Sequence, residues 1–415
     1  MTRQEYITRR ARLAQALPEG SMSFFFAGNP VRKSADTDYP FYVNRNYYYL
    51  TGIKDPGTVL VLVKTAKSVR EYLFINPIDE QMEKWVGKSI RPSEAMEISG
   101  IHAIQFLDSF HSFISRNLPL MKITQLGIDN DPSVPGSRLL EADVFAKTIR
   151  KQYSAYPIFN TYSLVAGLRT LKSEAEVDAI RYACEKTDLA IQEMLKVTRP
   201  GGNERELQAA FDYALAKEGG REMFESIVAA GANGCVLHYV ANDQPLHDQE
   251  LVLFDLGGCY NEYGADISQT YPVNGTFTPR QKEVYTVVLD CFKAISAATK
   301  PGVSMAELNR LANDILGEGC VKLGLIDDKL KVRQYYFHGI GHSLGLDTHD
   351  IGFTEETVLA PGCVVTNEPG LYIEEEKIGI RIETDLLVTE TGCVDLAPSI
   401  KREISQIEEL MRSLR

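Results

Sequence analysis

The stretch TRPGGNEREL at 198–207 returns as TKPGVSMAEL at 299–308, a displacement of 101 residues. A repeat on this scale constrains the region to fold as two like halves, because each copy has the same faces to bury. In each copy a Pro-Gly turn precedes a capping residue, Asn203 or Ser304, with a glutamate three positions on, Glu206 or Glu307. Each is therefore expected to open a helix through a capping box. Beyond each helix comes a histidine-bearing segment, HYVANDQ from His238 and HGIGH from His338. A strand-rich stretch follows each, LVLFDLGGCYNEYGADISQTYPV and CVVTNEPGLYIEEEKIGIRIETDLLVT. Two half-domains, each of helices followed by a β-hairpin, are expected.

The hairpins carry the chemistry. Asp255 and Asp266 are equidistant from the turn-prone Tyr260-Asn261, so folding 251–271 as a hairpin brings the two carboxylates together. Glu368 and Glu383 are likewise symmetric about Glu375-Glu376, and strand alternation in GIRIETD puts Arg381, Glu383 and Asp385 on one face. An acidic residue in a strand is usually solvated. Here VLF before Asp255 and VVT before Glu368 read as buried strands, where an unpaired carboxylate costs several kcal/mol unless protons or cations neutralise it. Four converging carboxylates call for metal. Hard oxygen donors with one imidazole suit Mn²⁺ or a similar ion, two divalent cations balance four carboxylates, and a water shared between them ionises near neutral pH. The site reads as that of a hydrolase.

FHGIGHSLGLDTHD, 337–350, holds three of the seven histidines. A helix would put His338 and His342 on one face, but Gly339, Gly341 and Gly345 argue against a helix. A turn-rich segment whose glycines permit close backbone approach to the metals is expected instead. His102, His111 and His247 read as ordinary surface or core residues.

Ahead of the repeat, the runs MSFFFAG, TVLVLVK, REYLFINP and QLGIDND alternate with polar helical segments such as that around SFHSFISRNLP, an α/β pattern. Residues 1–155 form the expected first domain, 156–172 a linker, and 173–415 the catalytic domain, opened by Ser173 capping a helix with Glu176. Fifty-six acidic against 44 basic residues leave a net charge of -12, which excludes general affinity for nucleic-acid phosphates. The opening MTRQEYITRRARLAQAL lacks a secretory apolar run, and the longest apolar stretches are strand-sized, so no membrane association is expected. Seven scattered cysteines without a CxxC pair signal neither disulfides nor a thiolate zinc site and fit a reducing cytoplasm.

Taken together, FDLGGCYNEYGADISQTYPVNG, FHGIGHSLGLDTHD, TNEPGLYI and GIRIETDLLVT resemble the proline-specific metallopeptidases of the pita-bread fold, aminopeptidase P and prolidase. RKSADTDYPFYVNRNYYYLTG resembles the start of that family's creatinase-like N-terminal domain. The resemblance implies an α/β (α+β) chain: a creatinase-like N-terminal α/β domain, then a pseudo-two-fold pita-bread catalytic domain. It implies that Asp255 chelates one metal, Asp266 and Glu383 bridge both, His342 binds the other, and Glu368 is a ligand close to a metal-bridging hydroxide, the nucleophile. It also implies that His238 and His349 contact substrate and steady the tetrahedral intermediate, that His338 lines the same pocket, and that Glu368 shuttles the proton. Arg381 either orients a carboxylate or forms a structural salt bridge. Trp85, in EKWVGKSI, is similar to a residue that reaches a neighbouring subunit's active site, and Asp36, in ADTDYP, to one near the substrate entrance or simply a turn-former. One departure is DISQT where the family has DxTRT: Ser268 keeps a hydroxyl on the metal-facing side while Gln269 falls on the other.

The implied reaction is hydrolysis of the Xaa-Pro bond at the N-terminus of peptides with proline second, by an enzyme holding two divalent ions, Mn²⁺ foremost. Prolidase, which takes only the Xaa-Pro dipeptide, is the alternative. A metal-free or binding-only pita-bread protein would lack the carboxylates, and methionine aminopeptidase would lack the N-terminal domain. A homodimer or homotetramer is expected from the resemblance.

Overall fold

The computed structural model describes residues 1–132 and 137–414. The chain divides into two compact units, Met1–Leu168 and Arg169–Arg415.

The first unit is built on a six-stranded mixed sheet ordered Ala103–Phe106, Val69–Ile75, Val59–Lys64, Ser21–Phe26, Gln125–Ile128, Ile158–Asn160. All four apolar runs named above are strands. Ser21–Phe26 is buried along its whole length, which explains why it reads as a continuous apolar run rather than an alternating one. Helices Phe110–Leu120 and Glu141–Gln152 cover one face, where Phe24, Phe74, Phe110, Phe113 and Phe145 pack in one core. Of the segment read as a linker, Ile158–Asn160 completes this sheet and Tyr162–Thr170 is helical.

The second unit has the two-fold repetition that its sequence requires. Its repeated helices are Glu174–Val197 and Glu204–Lys217, then Pro279–Ala298 and Met305–Lys322, with Ile404–Ser413 after them. Gly201 and Gly302 both turn with positive φ, 82° and 89°, and their N–H groups donate to Leu246 and Leu359 respectively. The same turn thus pairs with the same kind of partner in both halves. One detail differs. Ser304 and Glu307 close a capping box, whereas Asn203 caps through Arg205 N and Glu206 turns to Arg199 at 3.2 Å. Asn203 Oδ1 reaches the second helical N–H, so the reciprocal glutamate is released to the surface cation.

Strands Ile227–Ala230, Leu251–Leu256 and Ile267–Pro272 form the first half's sheet. Val364–Asn367, Thr384–Val388 and Cys393–Asp395 form the second's, and Gly370–Ile373 with Ile378–Arg381 form a separate two-stranded ribbon. The halves join where Glu383 N donates to Ser268 O (2.8 Å) and Arg381 N to Thr270 Oγ1 (3.2 Å). Among the described residues no helix is long and apolar enough to cross a membrane, and all seven cysteines are free.

Candidate metal centre and active site

The second hairpin has the register expected of it. Gly370 faces Arg381 and Ile373 faces Ile378, and the same register continues from Asn367 opposite Thr384 to Val364 opposite Leu387, centring the turn on Glu375-Glu376. The first hairpin departs from expectation: Asp255 faces Ser268 and Tyr260 faces Tyr263. Its turn is Asn261-Glu262, one residue beyond the expected centre, and both residues have positive φ, 52° and 67°, the type I′ geometry that matches strand twist. Pairing therefore slips by two residues. Because side chains alternate with a period of two, Asp255 and Asp266 still share a face.

The histidine segment is non-helical, as expected, but more extended than turn-like at its start. Glu368 N donates to Ile340 O (3.0 Å), Thr366 N to His342 O (2.9 Å) and Leu344 N to Val364 O (3.2 Å), laying 340–344 alongside the strand that leads to Glu368. Gly341 permits this, since a Cβ there would sit 2.8 Å from the Thr366 carbonyl carbon. Gly339 has no such constraint, its nearest neighbour being Asn309 Oδ1 at 3.7 Å.

Asp255, Asp266, His342, Glu368 and Glu383 all line one cavity of about 650 Å³, with His238, His338, His349 and Arg381. One donor atom each from Asp266, His342 and Glu383 lie within 4.8 Å of one another. His342 Nε2 stands 3.4 Å from Asp266 Oδ2 and 3.6 Å from Glu368 Oε1. Its Nδ1 lies 3.2 Å from Ser343 O, which accepts a hydrogen bond but cannot donate one, so Nε2 is the atom left with a free lone pair for a metal. Burial first, then the charges of Asp255, Asp385 and Glu368, raise the Asp266 carboxyl well above the usual range. Glu383 is raised well above it by burial and by Asp266, Glu368 and Asp255, and Glu368 is raised mainly by burial.

Arg381 answers part of that charge. It donates to Asp255 Oδ2 at 2.7 Å, to Ser268 Oγ at 2.7 Å and to Tyr372 OH at 2.9 Å. Ser268 in turn donates to Glu383 Oε2 at 2.6 Å, while Gln269 points the other way, to Lys401 O. The Tyr372 hydroxyl accepts from Arg381 and lies 2.8 Å from His338 Nε2, and His338 Nδ1 lies 2.7 Å from Gly339 O. These partners assign the proton to Nδ1 of a neutral imidazole. Burial and the nearby Arg381 push the His338 pKa down to about 4, consistent with that state. His349 is lowered by burial and by His342.

The donors fit a divalent metal. Asp255 Oδ1 is buried without a hydrogen-bond partner, and the hard oxygen donors with one imidazole are those that Mn²⁺ and similar ions take. Asp36 and Trp85 lie in the first unit, Asp36 exposed in a short ribbon turn and Trp85 85% exposed in the helix Glu83–Val86. His102, His111 and His247 are exposed. Tyr372 carried no assigned role in the sequence, although strand alternation from Glu368 puts it on the same face. The partners of Asp347 and Asp350 also went unread: they are Arg169 and Lys172, which belong to the stretch read as a linker.

A carboxylate-rich donor set lining a cavity is the arrangement of a metal-dependent enzyme. The model of metallopeptidase family M24 matches residues 178–390, and that of the aminopeptidase P N-terminal domain residues 6–122. The Xaa-Pro aminopeptidase of Escherichia coli (strain K12) is 34% identical over 444 residues, covering 100% of this chain and 99% of that protein. A candidate aminopeptidase P from Bacillus anthracis is similar in structure with TM-score 0.98 at 42% identity, covering 100% of this chain and 99% of that one. Zinc-substituted E. coli aminopeptidase P in complex with product gives TM-score 0.91 at 32% identity over the same shares. The chain belongs to metallopeptidase family M24, and these matches make the enzyme a metallopeptidase.

Proposed function

We propose that this metallopeptidase removes the first residue from peptides with proline in second position, with two divalent ions, Mn²⁺ foremost, held by Asp255, Asp266, His342, Glu368 and Glu383. The observation that carries the reading is the convergence of these five residues on one cavity, supported by full-length similarity to an Xaa-Pro aminopeptidase. Two such ions, when bound, supply a water acidified enough to act as nucleophile near neutral pH.

The remaining work falls to side chains. Glu368 takes the proton from the attacking water and delivers it to the leaving proline nitrogen. His238 and His349 donate hydrogen bonds where negative charge develops on the scissile carbonyl oxygen. Arg381 and Ser268 hold Asp255 and Glu383 in place, and Tyr372 keeps His338 in one tautomer. A homodimer or homotetramer is proposed as well, in which the neighbouring exposed side chains of Met82, Trp85 and Val86 find cover.

Chelator-stripped protein, assayed on Xaa-Pro-Yaa, Xaa-Pro and Xaa-Ala-Yaa before and after Mn²⁺ addition, tests the reading. Mn²⁺-dependent cleavage of the proline tripeptide is expected. Cleavage confined to the dipeptide would make the protein a prolidase, and equal cleavage of the alanine peptide would remove the proline requirement.

A further inference from the structure

Apart from the metal-ligand cluster, the catalytic unit buries a second group of charges. The side chains of Arg169, Lys172 and Asp350 are only 3%, 1% and 2% exposed. Ions so desolvated persist only when they hold one another. Lys172 Nζ donates to Asp350 Oδ2 at 3.0 Å and lies 3.4 Å from Ser343 Oγ. Arg169 Nη2 donates to Asp350 Oδ1 and, at 2.6 Å, to Asp347 Oδ2. Asp350 N donates to Ser343 O at 2.7 Å, closing 343–350 on itself. Within that loop a Cβ on Gly345 would sit 3.0 Å from Asp350 Cγ and 3.1 Å from Lys172 Cε, so the backbone is drawn down onto the ions.

His342 and His349 flank this loop, but only His342 has supports of its own. Its backbone N–H donates to Thr366 Oγ1, its carbonyl accepts from Thr366 N, and its Nδ1 faces Ser343 O. The His349 ring has no hydrogen bond among the described residues. It is exposed, and it packs against the His342 ring, centroids 4.1 Å apart. What fixes its position is therefore the backbone at Asp350.

We propose that Lys172, Arg169 and Asp350 form a buried clamp whose task is to position His349 over the cavity. None of the three touches substrate; they are positioning residues. The inference rests on the reading of His349 as the group facing the scissile carbonyl.

The test is a double-mutant cycle on the Mn²⁺-loaded full chain. Lys172→Met removes one cation and leaves Asp350 paired with Arg169, so the remaining carboxylate is not left without a counter-charge. K172M is expected to lower kcat about tenfold with KM and Mn²⁺ affinity within about twofold of wild type, and to speed hydrogen exchange across 343–350. Added to His349→Ala, it is expected to cost less than about twofold more, because the effect runs through that imidazole. Losses that multiply in the double variant, Mn²⁺ affinity falling in step with kcat, or an unchanged kcat would each overturn the clamp. Should K172M not fold, Asp347→Ala, which loosens the clamp from its solvent side, enters the same cycle with the same expectation. Failure of the wild type to cleave any Xaa-Pro peptide would remove the functional reading instead. Exchange and Mn²⁺ titration would then decide the clamp alone: faster exchange at unchanged affinity upholds it, and unchanged exchange overturns it.

Discussion

Gly341→Ala should damage the proposed metal centre without altering any of its proposed ligands. The new Cβ would lie 2.8 Å from the Thr366 carbonyl carbon and 3.0 Å from Thr366 Oγ1, at least about 0.7 Å inside the ~3.5 Å at which two carbons meet. The obstacle is backbone, so no side-chain rotation relieves it. Moving 341 away from 366 strains both hydrogen bonds that hold the His342 backbone, His342 N to Thr366 Oγ1 at 3.0 Å and Thr366 N to His342 O at 2.9 Å. Each is worth about 1 kcal/mol, and overpacking adds about 1–3 kcal/mol, for a total of roughly 3–5 kcal/mol. In a unit of this size, at about 2–4 °C per kcal/mol, that lowers Tm by roughly 6–20 °C. A His342 displaced by most of an ångström should also cost about 100-fold in kcat/KM. Thermal unfolding, Mn²⁺ calorimetry and peptide hydrolysis measure the three effects. Gly339→Ala is the control: its Cβ meets nothing nearer than 3.7 Å, and its Tm should stay within about 2 °C of wild type. If the two variants behave alike, the close-approach argument is wrong.

Tyr372→Phe removes the hydroxyl between Arg381 and His338, so kcat should fall about tenfold and stability by about 1–3 kcal/mol; wild-type kinetics would show that His338 does not need that partner. Asp266→Asn should weaken Mn²⁺ binding more than about 100-fold, beyond what substitutions around a ligand cost, as calorimetry on chelator-stripped protein would read. Burial pushes the Asp350 carboxyl up, but Arg169 and Lys172 outweigh it and hold its pKa below the ordinary value. A folded pKa below the unfolded one gives stability that is full above about pH 4 and lost as pH falls through the folded value. The Tm gap between wild type and K172M should therefore be widest near neutral pH and narrow below about pH 4; a gap that widens on acidification would contradict the pairing.

The carboxylates of the proposed metal site were legible because burial and periodicity act locally. A carboxylate inside an apolar run announces its own compensation problem, and Glu368 and Glu383 could be paired by counting from a turn rich in glutamate. The same count failed by one residue at the first hairpin, since Asn261-Glu262 adopts a two-residue turn with positive φ without the glycine that usually signals it. The error spared the site because its slip in pairing was two residues. Tyr372 was missed because a tyrosine in a strand is ordinarily core, and only its contacts with Arg381 and His338 distinguish it.

From its sequence alone this protein's doubled catalytic half and the four converging carboxylates of its proposed metal site follow, because each depends on residue type at a fixed chain spacing, whereas His342 as a ligand and the peptidase chemistry come from the resemblance to a known family. Tertiary structure decided which charges hold which. Arg169 meets Asp347 across 178 positions, Lys172 meets Asp350 across 178, and Arg381 meets Asp255 across 126. No local periodicity encodes such pairs, since they form only when distant segments pack and burial leaves each ion no other partner.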